Sequence, residues 1–141
     1  MESVNPDELP PGALVLLDSA PIVYFLEEHP EYAALFQPLF EAQAAGRVRF
    51  AVTTISIAEV LTGPLQRGDE ALAKHYRTVL ETWQVVDLNA DIAEHAAKLR
   101  ASSRLKLPDA VQAASALAIK AHALITPDQD FSRVKTLRIL P

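Results

Sequence analysis

The sequence predicts a single α/β domain, in which a parallel sheet of four to five strands is covered by helices on both faces. Short apolar runs alternate with helix-like segments along nearly the whole chain, an order typical of parallel strands joined by helices. The length of 141 residues is enough for one core but not for two, and half of the residues are hydrophobic. We therefore expect one domain over residues 13–141, preceded by an acidic, proline-rich lead-in over residues 1–12.

The first three elements follow from apolar runs and prolines. Residues 13–17 are apolar without interruption, which is typical of a strand covered on both faces. A short helix is expected to begin near Pro21, because proline suits the first helical turn, and to stop before Pro30. The next segment has apolar residues at helical spacing, closes on Gly46 and is kinked or split by Pro38.

The central elements follow from alternation and from capping residues. Apolar side chains alternate with others after residue 47, and this alternation predicts a second strand over residues 48–54. A Ser or Thr can cap the helix that follows, and Gly63 lies near its end. A further helix is expected from about Asp69 to Leu80, and residues 83–88 predict a short third strand.

The last elements complete the alternation of strands and helices. One helix is expected to be capped by either Asn89 or Asp91 and to continue to about residue 105. The next begins at Pro108 and runs to about Ala121. Short apolar runs predict the fourth and fifth strands, over residues 122–126 and 136–140.

The composition excludes several kinds of site. The chain has no cysteine, so disulfides, thiolate zinc sites and cysteine nucleophiles are excluded. The acidic start does not resemble a secretory signal, and no stretch approaches the roughly 20 apolar residues of a membrane helix. We therefore expect a cytoplasmic protein with no membrane partner. The histidines lie far apart without metal-ligand spacing and are expected to be structural or surface residues: His29, His75, His95 and His122.

The net charge of −5 is unevenly distributed and does not exclude an anionic polymer as substrate. Residues 1–46 hold eight acids and no Lys or Arg, whereas residues 47–141 hold ten acids and thirteen Lys or Arg. If several acids hold cations, the effective surface is more positive than the net charge suggests.

Five acids fall where a parallel sheet gathers functional groups, beyond the carboxyl ends of its strands. Asp18 ends the first predicted strand, Glu59 lies one turn into the helix after the second, and Asp109 opens the helix before the fourth. Asp128 and Asp130 follow the fourth strand directly. Carboxylates that converge repel one another, and a hard divalent cation such as Mg²⁺ or Mn²⁺ removes that repulsion.

Each acid also has an ordinary structural explanation. Asp18 suits a turn or a cap, Asp109 suits the positive end of a helix dipole, and the segment TPDQDF suits a turn. Glu59 is the hardest to explain in this way, because it interrupts an apolar segment and carboxylates are seldom buried without a partner. The shared position of the acids on one predicted rim favours the functional interpretation.

Basic residues near the acids are candidates for RNA phosphate contacts. One group precedes Asp109, and a second lies at the start of the second strand. The alternative is a solvated helix face on which Glu94 pairs with Lys98, and the sequence leaves the two interpretations open. The candidates are Arg47, Arg49, Lys98, Arg100, Arg104 and Lys106.

Four motifs in order make residues 13–140 resemble PIN-domain ribonucleases, and among them most closely the VapC-type toxins of toxin–antitoxin pairs. The motifs are LLDSAPIVYFLE, TTISIAEVLTG, LPDAVQAASALA and HALITPDQDFSRV. The resemblance implies an acidic pocket that binds Mg²⁺ or Mn²⁺ and cleaves RNA phosphodiester bonds. It implies catalytic and metal-binding roles for Asp18, Glu59, Asp109 and Asp128, a further metal-binding acid in Asp130, and supporting hydroxyls in Ser19 and Thr126. The chain departs from the family pattern in Pro127, which replaces a polar residue, and in its longer lead-in.

The resemblance also implies partners. Similar toxins form homodimers and bind an antitoxin whose tail fills a groove, often with a basic side chain that reaches the acidic pocket. The acidic, aromatic-rich segment over residues 22–40 is the expected position of such a groove.

Competing functions fit the sequence less well. A phosphoacceptor domain needs an Asp at the end of the third strand, but Asp87 follows that strand only loosely, and Glu59 would have no role. A haloacid-type phosphatase needs Asp-x-Asp at the first strand, where this chain has DSA. The four glycines are scattered, so there is no Gly-rich phosphate loop. A catalytically silent module, which uses the acidic pocket for a protein partner, remains the alternative.

Overall fold

The computed structural model describes residues 4–141, which form five strands and six α-helices, with two helices between each pair of successive strands from β1 to β4. Two short 3-10 helices, Pro6–Glu8 and Gln129–Arg133, lie in the connecting segments. No helix in the described part of the chain is both long and apolar enough to cross a membrane. The elements are β1 (Ala13–Leu17), α1 (Ser19–Leu26), α2 (Ala33–Ala44), β2 (Val48–Thr53), α3 (Thr54–Gln66), α4 (Glu70–Glu81), β3 (Gln84–Val86), α5 (Ala90–Ser103), α6 (Leu107–Ala118), β4 (Ala123–Ile125) and β5 (Ile139–Leu140).

The five strands form one fully parallel sheet in the order β3-β2-β1-β4-β5, which confirms the predicted α/β class. The central strand β1 pairs with β2 on one side and with β4 on the other. Because all strands run in one direction, Leu17, Thr53 and Ile125 end their strands at the same edge of the sheet. We call this edge the carboxyl edge.

Helices cover both faces of the sheet, which explains the uninterrupted apolar run of β1. Val15 and Leu17 belong to the core on one face, with residues of α1 to α4, whereas Leu14 and Leu16 belong to the core on the other face, with residues of α5 and α6. Successive side chains of a strand point to opposite faces, so a strand between two helical layers is apolar at every position.

Three helix boundaries differ from the predicted ones. Helix α1 begins at Ser19, before Pro21, because Asp18 accepts a hydrogen bond from the Ser19 N–H and starts the helix itself. Helix α3 continues past Gly63 to Gln66, and the left-handed backbone that follows belongs to Gly68, with φ of +73°. Helix α6 ends at Ala118, three residues early, because Lys120 takes a left-handed φ of +54°.

Two alternatives left open by the sequence are resolved. Helix α2 is continuous from Ala33 to Ala44 although it contains Pro38, and Phe36, Leu39 and Phe40 anchor it in the core around the proline. Helix α5 is capped by Asn89, whose side-chain oxygen accepts from the Ile92 N–H at 2.9 Å.

The described part of the lead-in packs against the domain. The Val4 N–H donates to the Leu35 carbonyl at 2.9 Å, and Val4 and Leu9 are buried in the core beside α2. Residues 1–3 of the predicted lead-in lie outside the described residues.

Candidate active site

Asp18 lies at the centre of the carboxyl edge, directly after β1, and is buried. Three donors bind its carboxylate. The Ser19 N–H at 2.9 Å and the Gln112 Nε2 at 3.2 Å both donate to Oδ1, and the Thr126 Oγ1 donates to Oδ2 at 2.8 Å. The side chain is therefore fixed by groups from the start of α1, from α6 and from the end of β4.

Thr126 connects Asp18 to the acids that follow β4. Its hydroxyl donates to Asp18 and accepts from the Asp128 N–H at 3.1 Å. The Asp128 carboxylate in turn accepts from the Asp130 N–H at 2.9 Å and caps the second 3-10 helix. Asp128 thus makes the predicted turn and also stands near Asp18.

Glu59 and Asp109 lie on neighbouring helices, α3 and α6, and Gln112 in the second turn of α6 bonds to the start of α3. The Gln112 amide accepts from the Thr53 Oγ1 at 2.8 Å and donates to the Ser56 Oγ. Asp109 is half-buried in the first turn of α6. Glu59 interrupts an apolar segment of the sequence, but its side chain is exposed on α3 and is not enclosed by those apolar residues.

The acids raise one another's pKa values. The pKa of Asp109 rises to about 6, first because the group is partly buried and then because Asp18 and Asp128 repel its charge. Although Glu59 is exposed overall, partial desolvation of its carboxylate raises its pKa, with a further contribution from Asp18, and the Ser19 hydroxyl partly offsets both effects. Burial also raises the pKa of Asp18 against its hydrogen bonds, and Asp128 adds to the increase. The carboxylates therefore lie within electrostatic reach of one another.

The chemistry of this donor set fits a hard divalent cation. The charged groups that raise the pKa of Asp109 are all carboxylates, which are the ligands that such a cation prefers. Lys106 acts in the opposite direction and lowers this pKa. Within residues 4–141, no three His, Asp or Glu side chains stand close enough to share one ion in their present positions. We expect a bound cation to draw the exposed carboxylates toward Asp18.

The structure separates the basic candidates into two groups. Arg47 pairs with Asp7 at 3.7 Å, and the Arg49 Nε donates to the Gly12 carbonyl at 3.1 Å. Both lie at the start of β2, on the edge of the sheet opposite the carboxyl edge. The expectation that Arg47 and Arg49 flank the acidic pocket is therefore wrong, because a parallel strand places its first and last residues on opposite edges.

In the second basic group only Lys106 is seen to act on one of the acids, and other members are engaged elsewhere. Lys98 pairs with Glu94 at 3.8 Å on exposed α5, as the structural alternative predicted. The Arg100 Nε donates to the Leu105 carbonyl at 3.4 Å, and Arg104 ends α5 in a left-handed conformation. Lys106 precedes α6 and acts on Asp109.

Sequence reasoning missed two features of this site. Gln112 is 1% exposed and bridges Asp18 to the start of α3, and its only signal in the sequence is an amide among apolar residues, three positions after Asp109. Arg133 pairs with Asp130 at 3.3 Å and donates to the Arg104 carbonyl at 3.3 Å. Arg133 therefore belongs among the cations near the acids.

The histidines whose contacts are described have structural roles. The His29 Nδ1 accepts from the backbone N–H groups of Glu31 and Tyr32, and the His122 Nδ1 accepts from the Leu14 N–H. His75 is exposed on α4 and His95 is half-buried on α5.

A groove of about 640 Å³ lies between α1 and α2, in the acidic first third of the chain. Its floor contains Phe25 stacked on Phe40, with ring centroids 3.8 Å apart, and Phe25 stays 37% exposed. Glu28 and Glu41 line the groove and give it negative charge. An apolar groove with an acidic rim complements a basic, amphipathic segment.

Comparisons with known proteins agree with this arrangement. A family model described as the PIN domain matches residues 15–137. No curated protein matches the chain.

Several solved structures share the fold. A toxin–antitoxin complex from Klebsiella pneumoniae is 27% identical, with a TM-score of 0.67 over 84% of this chain and 90% of its own. VapBC2 from Rickettsia felis, bound to a DNA fragment from its promoter, is 21% identical, with a TM-score of 0.72 over 89% and 96% of the two chains. VapC20 of Mycobacterium tuberculosis, a toxin that cleaves the sarcin-ricin loop, is 17% identical, with a TM-score of 0.68 over 90% and 99%. The latter two likenesses, at such low identity, concern the fold alone.

Proposed function

The chain belongs to the PIN-domain family, and on that premise we propose that it is a metal-dependent endoribonuclease and the toxin of a toxin–antitoxin pair. The observation that carries the proposal is the convergence of acids on the carboxyl edge, where repulsion from Asp18, Asp128 and Asp130 adds to partial burial and the pKa of Asp109 rises to about 6. A cluster with perturbed pKa values in this place is typical of a functional site. Its chemistry is that of a Mg²⁺ or Mn²⁺ site.

In this proposal the role of each side chain follows from its position at the carboxyl edge. Asp18, fixed by its three hydrogen bonds, is the rigid ligand, and Glu59, Asp109 and Asp128 approach the ion from α3, α6 and the segment after β4. When bound, the ion supplies an activated water and neutralises charge on the phosphate. Asp130 supports Asp128, and Ser19 and Thr126 hold Glu59 and Asp18 through their polar groups.

Cations around the acids would bind the flanking RNA phosphates. Lys106 and Arg133 are the best placed, because each interacts with an acid of the cluster, Asp109 and Asp130 respectively. Arg104 contacts Arg133 through its carbonyl, and Arg100 lies one turn earlier on α5, so both are further candidates for this basic surface. Contacts of this kind give affinity that falls with salt but do not identify the RNA sequence.

RNA cleavage by the purified protein tests the proposal. We expect cleavage with added Mg²⁺ or Mn²⁺, and loss of cleavage with a chelator or in Asp18→Asn. Cleavage that persists in chelator would reject the metal mechanism. A protein that binds a partner, does not cleave any RNA pool and shows no thermal shift at millimolar metal would instead be the catalytically silent module.

The groove between α1 and α2 supports the assignment of an antitoxin partner. The Klebsiella pneumoniae relative is a toxin–antitoxin complex, and the groove offers stacked aromatic rings and two acids to a basic segment. We expect Glu41→Lys to weaken binding of the proposed antitoxin on the order of tenfold at low salt, because the charge in the groove reverses. Calorimetry measures this affinity.

The matched control for the groove is Glu94→Lys. Glu94 is an exposed helical acid on α5, which packs on the other face of the sheet from α2, so its reversal changes the net charge equally. Equal weakening by both variants would show that the partner responds to overall charge and does not occupy the groove.

An apolar recess supports a homodimer. Leu88 and Leu107 are 45% and 53% exposed and line a recess of about 300 Å³ with residues of α3, α5 and α6. We propose that a second copy covers it in the cytoplasm. Leu107→Asp is then expected to sediment as a monomer. The control Leu65→Asp, at an equally exposed leucine on α3, is expected to stay a dimer. A dimeric Leu107→Asp would contradict this interface.

A further inference from the structure

Gln112 is a buried amide whose polar atoms are all engaged near the candidate metal site. It is 1% exposed and lies on α6 among buried apolar residues. Its Oε1 accepts from the Thr53 Oγ1, and its Nε2 donates to the Ser56 Oγ and to the Asp18 Oδ1. A buried amide is tolerated when it is hydrogen-bonded in this way, so the position of Gln112 is tightly determined.

The orientation of the amide is fixed by its partners. The carboxylate of Asp18 only accepts hydrogen bonds when ionised, so Nε2 and not Oε1 must face it. Thr53 supports the same orientation. The Thr53 hydroxyl oxygen accepts from the Ser56 N–H at 3.0 Å, and the hydroxyl hydrogen is donated to the Gln112 Oε1. Gln112 is therefore a donor toward Asp18, and its oxygen is bonded to Thr53 instead.

Gln112 changes what Asp18 can offer to a cation. Each carboxylate oxygen has about two lone-pair sites. On Oδ1, the Ser19 N–H and the Gln112 Nε2 take both, whereas on Oδ2 the Thr126 hydroxyl takes one. No other donor among residues 4–141 binds Oδ2, so one site on this oxygen stays open.

We propose that Gln112 is a positioning residue that restricts Asp18 to binding the ion through Oδ2 alone, and that it thereby favours Mg²⁺ over Ca²⁺. The inference rests on the proposed function, in which Asp18 is a metal ligand. Mg²⁺ requires a compact octahedral shell, whereas Ca²⁺ takes more ligands and readily accepts both oxygens of one carboxylate. A carboxylate with one oxygen occupied by protein donors suits the smaller ion.

The ratio of Mg²⁺ to Ca²⁺ affinity in Gln112→Met tests the proposal. Methionine has a similar volume but makes no hydrogen bond of this kind, so it frees a site on Oδ1. Calorimetry on the full chain should show that the preference for Mg²⁺ falls on the order of tenfold, the scale of effect expected for a group that orients a metal ligand. The matched control is Ser115→Ala, at a buried polar residue of the same helix that does not bond to Asp18, and its ratio should not change.

An unchanged ratio in Gln112→Met would overturn the proposal. If that variant does not fold, the wild-type protein provides the test, through hydrogen exchange of the Gln112 side-chain amide followed by NMR. The amide should stay protected when Mg²⁺ is added, and loss of protection would show that the ion displaces Gln112 from Oδ1.

The two proposals fail in different ways. Wild-type protein that binds neither ion would overturn both the metal mechanism and the role of Gln112. Binding that Asp18→Asn removes, combined with an unchanged ratio in Gln112→Met, would leave the nuclease proposal standing and reject the positioning role alone.

Discussion

Asp109→Asn is expected to reduce RNA cleavage on the order of a hundredfold or more and, at the same time, to stabilise the metal-free protein at pH 7.5. Asp109 is half-buried beside Asp18 and Asp128, and its pKa is raised to about 6. In the proposed mechanism Asp109 is a metal ligand, so its loss should cost at least as much as the loss of a group that only orients a ligand. The substitution also removes a charge that Asp18 and Asp128 repel.

The sign of the stability change follows from the direction of the pKa shift. A carboxyl group whose pKa is higher in the folded than in the unfolded chain holds its proton longer when folded. Its contribution therefore favours folding at low pH and is lost as the pH rises from about 4 through about 6. Asparagine has no such titration, so the variant should resist urea better than the wild type at pH 7.5 but not at pH 4.

Urea unfolding without metal and cleavage assays with Mn²⁺ measure the two effects. The control is Asp91→Asn, an exposed acid in the first turn of α5, where the charge suits the helix dipole. It should leave cleavage unchanged and should not stabilise the protein. A destabilised Asp109→Asn at pH 7.5 would contradict the electrostatic description of the site.

The second large effect is a pH dependence of metal binding. Mn²⁺ must displace the proton of Asp109, whose pKa is about 6, so the apparent affinity should rise about tenfold between pH 5 and pH 7. The raised pKa values of Asp18 and Glu59 act in the same direction. The rise should level off above pH 7, where Asp109 is ionised.

Thermal shifts or calorimetry with Mn²⁺ at several pH values measure this dependence. Calorimetry in buffers of different ionisation enthalpy reports proton release directly, which we expect near pH 5.5 and not near pH 8. An affinity that is the same at pH 5 and pH 7 would show that Asp109 does not bind the ion.

The architecture could be predicted from the sequence because the spacing of apolar residues within each short segment indicates whether that segment is a strand or a helix. The uninterrupted run of β1 indicated two covered faces, and the structure confirms it. The helix ends were harder to predict, because a left-handed residue such as Lys120 or a cap such as Asp18 stops or starts a helix by its backbone geometry. Gly63 illustrates the difficulty, since it looks like a helix end and lies inside α3.

The acids of the candidate site could be predicted from the sequence, whereas the hydrogen bonds and ion pairs that connect them could not. The carboxyl ends of parallel strands must meet, so the positions of Asp18, Asp109 and Asp128 on one edge followed from topology. The same rule places Arg47 and Arg49 at the far edge, which proximity in sequence had obscured. The bridges made by Gln112 and Arg133 depend on side-chain contacts between segments distant in the chain, and no local pattern encodes them.

The position of Mn²⁺ in a crystal of this protein tests the central claim most directly. The anomalous signal of manganese locates the ion independently of any assay of activity. We predict one peak at the carboxyl edge, bonded to the Oδ2 of Asp18 and within reach of Glu59, Asp109 and Asp128. A crystal saturated with Mn²⁺ in which these carboxylates bind no metal would contradict the account.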